Sequence, residues 1–401
     1  MSAEKNRDHK KDPSREWITS LRERFPTHAS VDETLTRKLQ RRSGPAHRAQ
    51  DLESVIKHLK AFLSKRIEGA FSISDVKPLA GGSSKEQYAF TVKKADSGEQ
   101  KRYVLRMRPA ESIVETHVGR EFQAINAVRG AMPVPEAHWF DLHGEELGQP
   151  SLITDFCEGV TTPPYEGAYS PRLGLPEKYR NVIAPQFTKY FANLARLDWS
   201  QCDMSFFDMP RAGSNEGVIS SLNWWQRVWE EDSVEAYPLM TLAAHWLRKN
   251  APNIDHVSIV HTDFRKGNFL FDLDTGQITS ILDWELAHLG DRHEDLAFFL
   301  NPLFGGYDEQ GNYLAGGLMD RGQFLEEYQR QSGLSVDEKK LDYYMVFNAW
   351  RGVINTLATG VRCMVGQKTH QDIRVGWITY TSAISLQSLM TDLEKRLAYV
   401  A

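Results

Sequence analysis

The segment HTDFRKGNFLFDLDTGQITSILDWE, His261 to Glu285, constrains this chain more than any other stretch. Strand-forming residues run from Asn268 to Leu273 and from Ile278 to Leu282, with Asp274, Thr275 and Gly276 supplying the turn. Residues equidistant from a hairpin turn face each other across strands about 5 Å apart, which predicts Asn268 opposite Asp283. Asp263, on the loop after the apolar run ending at Val260, arches over the same end. An amide and two carboxylates are oxygen donors that suit Mg²⁺, a cation that keeps waters and is commonly completed by phosphate oxygens. Asp263 is then free to accept a proton from an incoming hydroxyl.

A chain of 401 residues is long enough for two lobes with separate cores. Hydrophobic residues at 41% and charged residues at 25% exclude wholesale disorder and fibrous repeats. The net charge of -5 gives no electrostatic case for nucleic acid. Apolar runs are as short as Leu296 to Leu300, so no membrane span is expected. The opening MSAEKNRDHKKDPSRE lacks the apolar centre of a secretory signal. Cys157, Cys202 and Cys363 lie far apart without metal-ligand spacing, which reads as reduced thiols in a cytoplasmic protein.

Along the chain, residues 1–50 form an N-terminal extension, partly disordered, whose basic run TRKLQRRSGPAHR reads as a solvated helix end. Residues 51–156 open with Leu52, Val55, Ile56, Leu59, Phe62 and Leu63 at helical spacing. Strand patterns follow in LAGGSSKEQYAFTV and RYVLRMR, then a helix in ETHVGREFQAINAV and two further strands ending in SLITDFCEGV. Residues 157–401 are long helical stretches, with the hairpin as their one exception. The class is α+β.

HTDFRKGN followed by Asp283 resembles the catalytic loop and metal-binding segment of the eukaryotic-type kinase fold. HTDFRKGN and LDWELAHLGD together resemble the aminoglycoside phosphotransferase and choline kinase-like family of small-molecule kinases, including domains fused to acyl-CoA dehydrogenases. The resemblance runs over about residues 52–400 and implies a two-lobed protein-kinase-like fold. In that fold a nucleotide-binding lobe, a small antiparallel sheet with one helix, sits on a larger, mainly helical lobe. It further implies ATP and Mg²⁺ as cofactors. His261 would brace the loop, Asp263 act as base, Asn268 and Asp283 hold the metal, and Arg265 face the phosphates.

The same resemblance assigns roles in the first lobe. Gly81, Gly82, Ser83 and Ser84 would cover the phosphates, although such a turn taken alone is also an ordinary hairpin bend. Lys85, in the glycine turn, would be an extra phosphate contact. Arg106 stands where the family carries lysine, and period-two alternation aims it into the cleft. Glu121 either pairs with Arg106 or is an exposed helix residue paired with Arg120. Asp155 and Cys157 lie where the backbone would read an adenine edge. Asp291 and Asp295 correspond to an acidic pair that props the loop, while Thr262 replaces the usual glycine and Arg292 and His293 the usual Pro-Leu.

The resemblance implies a small-molecule alcohol as acceptor, with hydroxyacyl-CoA or a hydroxylated acid as the expectation and an aminoglycoside as the alternative. Glu230, Glu231 and Asp232 would serve a polycation; Arg351, Arg362 and Arg374, with Trp350 and Trp377, an anionic or partly apolar alcohol. Eleven residues between Asp283 and Asp295, and no Ala-Pro-Glu, argue against a protein kinase. Two other readings are a silent nucleotide-binding module and a metal-dependent hydrolase built on His261, Asp263, Asp283 and His288. The sequence leaves the oligomeric state open.

Overall fold

The computed structural model describes residues 8–79, 84–163, 174–367, 369, 376 and 379–397. Gly81, Gly82, Ser83, Arg374 and Trp377 therefore lie outside the described residues. Two helices come first, α1 (Arg15–Arg24), capped by Ser14, and α2 (Ala29–Gln40). Val31 and Leu35 of α2 join the main core of the second lobe. Within the basic run Arg41 and Arg48 are exposed as expected, but Lys38 and Arg42 are not. Lys38 pairs with Glu231 at 2.6 Å and Asp232 at 3.1 Å, and Arg42 with Asp232 at 2.7 Å and Glu111 at 3.3 Å, all of them buried. These cations exchange water for carboxylates, the condition under which buried charge is tolerated.

In the first lobe α3 (Leu52–Leu63) is capped by Asp51, which accepts the Ser54 N–H at 2.8 Å. Then follow β1 (Phe71–Pro78), β2 (Glu86–Lys94), β3 (Gln100–Met107), α4 (Val118–Val128), β4 (Ala137–Asp141) and β5 (Ser151–Asp155). The strands form one antiparallel sheet in the order β1-β2-β3-β5-β4. Alternation along β3 sorts its two faces. Tyr103, Leu105 and Met107 pack with Val55, Leu59 and Phe62 of α3, while Arg106 on the other face meets α4.

The chain crosses between lobes at Phe156 to Val160, and Val160 pairs both ways with Phe271. Gly159 permits this approach. Its φ is 134°, and a Cβ there would lie 2.8 Å from Thr279 Oγ1 and 3.0 Å from the Phe271 carbonyl.

The second lobe contains α5 (Glu177–Arg196), α6 (Glu216–Asp232), α7 (Pro238–Lys249), β6 (Val257–Val260), β7 (Phe269–Phe271), β8 (Ile278–Ile281), β9 (His288–Asp291) and α8 (His293–Phe299). The short strands β10 (Gly306–Tyr307) and β11 (Tyr313–Leu314) lead to α9 (Arg321–Ser332) and α10 (Glu338–Val353). A π-helical turn, Ile354–Gly360, follows, then α11 (Val361–Gly366) and a last helix, Ser382–Leu397. The β7–β8 hairpin is not the lobe's one exception, since β6 pairs with β9 and β10 with β11. Phe264, next to Asp263, is fully buried and stacks on Phe191 with centroids 4.3 Å apart, which pins the loop to the lobe's core. Among the described residues no helix is long and apolar enough to cross a membrane.

Candidate active site

The loop His261–Asn268 leaves β6 and enters β7, and its conformation is held from several sides. Asp295 of α8 accepts the His261 and Thr262 N–H groups at 2.7 and 2.6 Å. His261 Nδ1 accepts the Asp263 N–H at 3.2 Å, so Nε2 carries the ring proton and donates to the Leu282 carbonyl at 2.9 Å. His261 is fully buried between Phe264 and Trp284; it braces the loop and does not reach the cavity. Of the expected acidic pair only Asp295 touches the loop, because the Asp291 carboxylate is turned to His293 at 2.6 Å.

Asp263 faces the cleft with its oxygens oriented by two donors. Arg265 Nε donates to one at 2.7 Å, and the Asn268 amide nitrogen to the other at 2.6 Å. The Asp263 charge holds the Arg265 guanidinium above its ordinary range, against the opposing effect of burial. Arg265 is thus engaged with Asp263 and the Lys266 carbonyl, and it orients the carboxylate.

The hairpin register departs from simple symmetry about the turn. Phe269 pairs with Ile281, the Asn268 carbonyl accepts the Leu282 N–H, and the shift between Leu270 and Phe271 leaves Thr279 as an extra residue on β8. Thr279 is used at the crossing, where its hydroxyl donates to the Glu158 carbonyl at 2.7 Å. Asp283 consequently lies one residue beyond the partner of Asn268. Its left-handed backbone, φ 68° and ψ 52°, turns the chain at the hairpin's end, and Asn268 and Asp283 line one cavity. The Asn268 nitrogen is committed to Asp263, which leaves its Oδ1 as the amide's donor atom to a cation. An amide oxygen and a carboxylate make a hard, oxygen-only set that fits Mg²⁺.

Across the cleft Arg106 forks. One terminal nitrogen pairs with Glu121 of α4, and the other donates to Asp283 at 3.0 Å. Burial disfavours the charge on Arg106, but Glu121, Asp283 and Glu285 outweigh it and hold the guanidinium well above its ordinary range. Glu121 is 1% exposed, which decides against the surface alternative. Its supposed partner Arg120 is buried and donates instead to the Ala287 carbonyl at 2.9 Å.

Lys85 is not in solvent beside the turn. It is 2% exposed and bound to Glu285 at 2.6 Å and Thr116 at 2.8 Å. Sequence reasoning missed Glu285, although the spacing Asp-Trp-Glu was its signal. Ser84 lines the same cavity as Asp263 and Asp283. At the crossing the Asp155 carboxylate turns away to His138 and Lys101, at 2.6 and 2.9 Å, so only backbone remains for a ligand there. The Cys157 thiol is half-buried, and burial pushes it above its ordinary range.

The cavity has a volume of about 1010 Å³ and continues from the loop to α10 and the last helix. Apolar side chains such as Ile113, Leu286, Phe298 and Ile384 alternate with Asn301, Asn348 and Asn355 on its walls. The expected acidic cluster is elsewhere, because Glu231 and Asp232 are buried against Lys38, Arg42, Arg227 and Arg362. Arg362 is closed off by Glu111 and Asp232. Trp350 is fully buried, and Arg351 borders the cavity with its guanidinium bound to Glu294 and the Thr262 carbonyl. His288 pairs with Glu294 at 3.3 Å, so the four residues of the hydrolase reading do not converge.

A five-stranded antiparallel lobe on a helical lobe, with an aspartate loop and a hairpin acid meeting in the cleft, defines a kinase-like phosphotransferase fold. The family model of the phosphotransferase enzyme family matches residues 75–334, and the chain belongs to that family. A candidate aminoglycoside phosphotransferase from Ralstonia eutropha JMP134 has the same fold, with a TM-score of 0.61 and 19% identity over 84% of this chain and 98% of its own. Among curated proteins, mouse acyl-CoA dehydrogenase family member 10 is 23% identical over 86% of this chain and 31% of its own length. The hygromycin-B 4-O-kinase of Escherichia coli is 25% identical over 62% of this chain and 68% of its own. This chain thus spans about a third of the dehydrogenase-type relative. Small-molecule phosphotransfer is the class of chemistry that the family carries.

Proposed function

We propose that this chain transfers the terminal phosphoryl group of ATP to a hydroxyl group of a small molecule, with Asp263 as the base. The observation that carries the reading is the orientation of Asp263 by Arg265 and Asn268 inside a cleft that Asp283 and Arg106 also enter. A carboxylate held by two donors keeps one geometry, and positioning is most of what phosphoryl transfer asks of a protein. Asp263 would orient the alcohol and take its proton as the oxygen attacks. Arg106 supplies positive charge close to Asp283, where phosphate oxygens would gather. Asn268 and Asp283 would hold Mg²⁺, which when bound neutralises phosphate charge. The Cys157 amide, with no hydrogen-bond partner among the described residues, is available to an adenine edge.

For the acceptor we favour a hydroxylated acid or hydroxyacyl thioester over an aminoglycoside. A polycation needs unpaired carboxylates on the cavity wall. Among the described residues, the acids there beyond Asp263 and Asp283 are Glu285 and Asp392, and these are paired with Lys85 and Arg396. The apolar and amide lining suits a partly apolar alcohol instead. ATP consumption measured across hydroxy acids, hydroxyacyl thioesters and aminoglycosides tests this. Turnover with the first two classes is expected, and turnover confined to aminoglycosides refutes the assignment. A cytoplasmic setting fits the three cysteines, none of which is in a disulfide.

A further inference from the structure

Thr262 stands in the left-handed region, φ 69°, which a β-branched residue resists and glycine adopts freely. Both sides of its backbone are gripped. Asp295 takes its N–H at 2.6 Å, and its carbonyl takes a hydrogen bond from Arg351 Nη2 at 2.8 Å, across 89 residues of sequence. Arg351 is 3% exposed on α10 and gives its other terminal nitrogen to Glu294 at 2.9 Å. Its guanidinium also lies 5.2 Å from the Phe298 ring centroid. The planar fork answers a carboxylate and a carbonyl together, which an ammonium on a flexible stem matches poorly.

We infer that Arg351 is a positioning residue for phosphoryl transfer: its bond to the Thr262 carbonyl locks the Thr262–Asp263 peptide in the turn from which Asp263 faces the cavity. Without it that buried carbonyl loses its partner, and Thr262 gains by relaxing out of the left-handed region. The relaxation rotates Asp263 away from Arg265 and Asn268. This inference rests on Asp263 being the base.

The test compares Arg351→Gln, Arg351→Lys and the double variant Arg351→Gln with Thr262→Gly, using wild type and Asp263→Asn as references. Mg²⁺-dependent ATP turnover, MgATP affinity by calorimetry and amide exchange at His261 to Asp263 are measured in each. Arg351→Gln is expected to lower turnover about 10- to 100-fold, because a misplaced base costs rate, while MgATP affinity stays within about threefold. The added Thr262→Gly should recover about tenfold, since glycine does not resist the left-handed turn. A double variant no faster than Arg351→Gln, or affinity lost in step with turnover, overturns the inference. Should the glutamine variant not fold, Arg351→Lys keeps a charge beside Glu294; wild-type turnover and amide protection in it count equally against the tether. A wild type without turnover refutes the kinase reading instead, and loss of amide protection in the Arg351 variants still decides the tether.

Discussion

Arg106 Nη2 lies 3.0 Å from Asp283 Oδ1, so the basic residue of β3 binds directly to the acid that ends the hairpin, across the cleft between the lobes. Its other nitrogen is on Glu121, and one planar group thereby ties β3, α4 and the hairpin together. An ammonium in the same place is a point charge and cannot span both carboxylates as a fork does.

Arg106→Met should therefore leave Glu121 buried without a partner. Breaking a buried pair from one side costs about 3–5 kcal/mol, and denaturant titration should show a loss of that order. Arg106→Lys should keep most of the stability while weakening MgATP binding. Unchanged stability in Arg106→Met contradicts the pairing.

Burial raises the carboxyl of Asp295 from 3.8 to about 6, although His261 and the two loop N–H groups pull the other way. A folded value above the unfolded one means that the contribution to stability is fully present below about pH 4 and is lost as pH rises through 6. The shift corresponds to about 3 kcal/mol. Function should run oppositely, because a protonated Asp295 accepts the His261 and Thr262 N–H groups less well. Turnover is expected to fall below about pH 6 while this stability term grows, as pH-rate profiles and melting in matched buffers would show. In Asp295→Asn the stability slope between pH 4 and 6 should vanish; its persistence would assign it to another group.

Asp232 sits among Lys38, Arg42 and Arg362, at 3.1, 2.7 and 3.0 Å. Asp232→Asn removes one negative charge and leaves three buried cations around the remaining acids. A loss of about 3–5 kcal/mol in unfolding free energy is expected, nearly independent of salt because the group is buried. A change below about 1 kcal/mol, as at exposed pairs, would contradict the network.

Gly159→Ala places a methyl against Thr279 Oγ1 and the Phe271 carbonyl at a φ of 134°. Both backbone strain and the clash fall on the crossing, so lower stability and weaker nucleotide affinity should appear together. Loss of neither would show that the crossing yields easily.

Local signals in the sequence located the loop His261–Asn268 and the hairpin turn, because each depends on spacing within one short segment, while the choice between Arg106 and a surface partner for Glu121 needed its burial in the fold. What escaped it depends on distant partners. The burial of Lys38 and Arg42 follows from acids on α6 nearly 200 residues away, and the engagement of Arg351 from a carbonyl on another element. The hairpin register was missed by one residue because the extra residue on β8, Thr279, answers a contact at the crossing, which no turn rule encodes. Glu285 was overlooked because its partner Lys85 comes from the other lobe.

The most direct test is Mg²⁺-dependent ATP turnover by wild type and Asp263→Asn, with an acceptor found by the screen above. Loss of the base predicts turnover lower by about 10²- to 10⁴-fold, with MgATP affinity largely kept. An Asp263→Asn protein as fast as wild type would contradict the account.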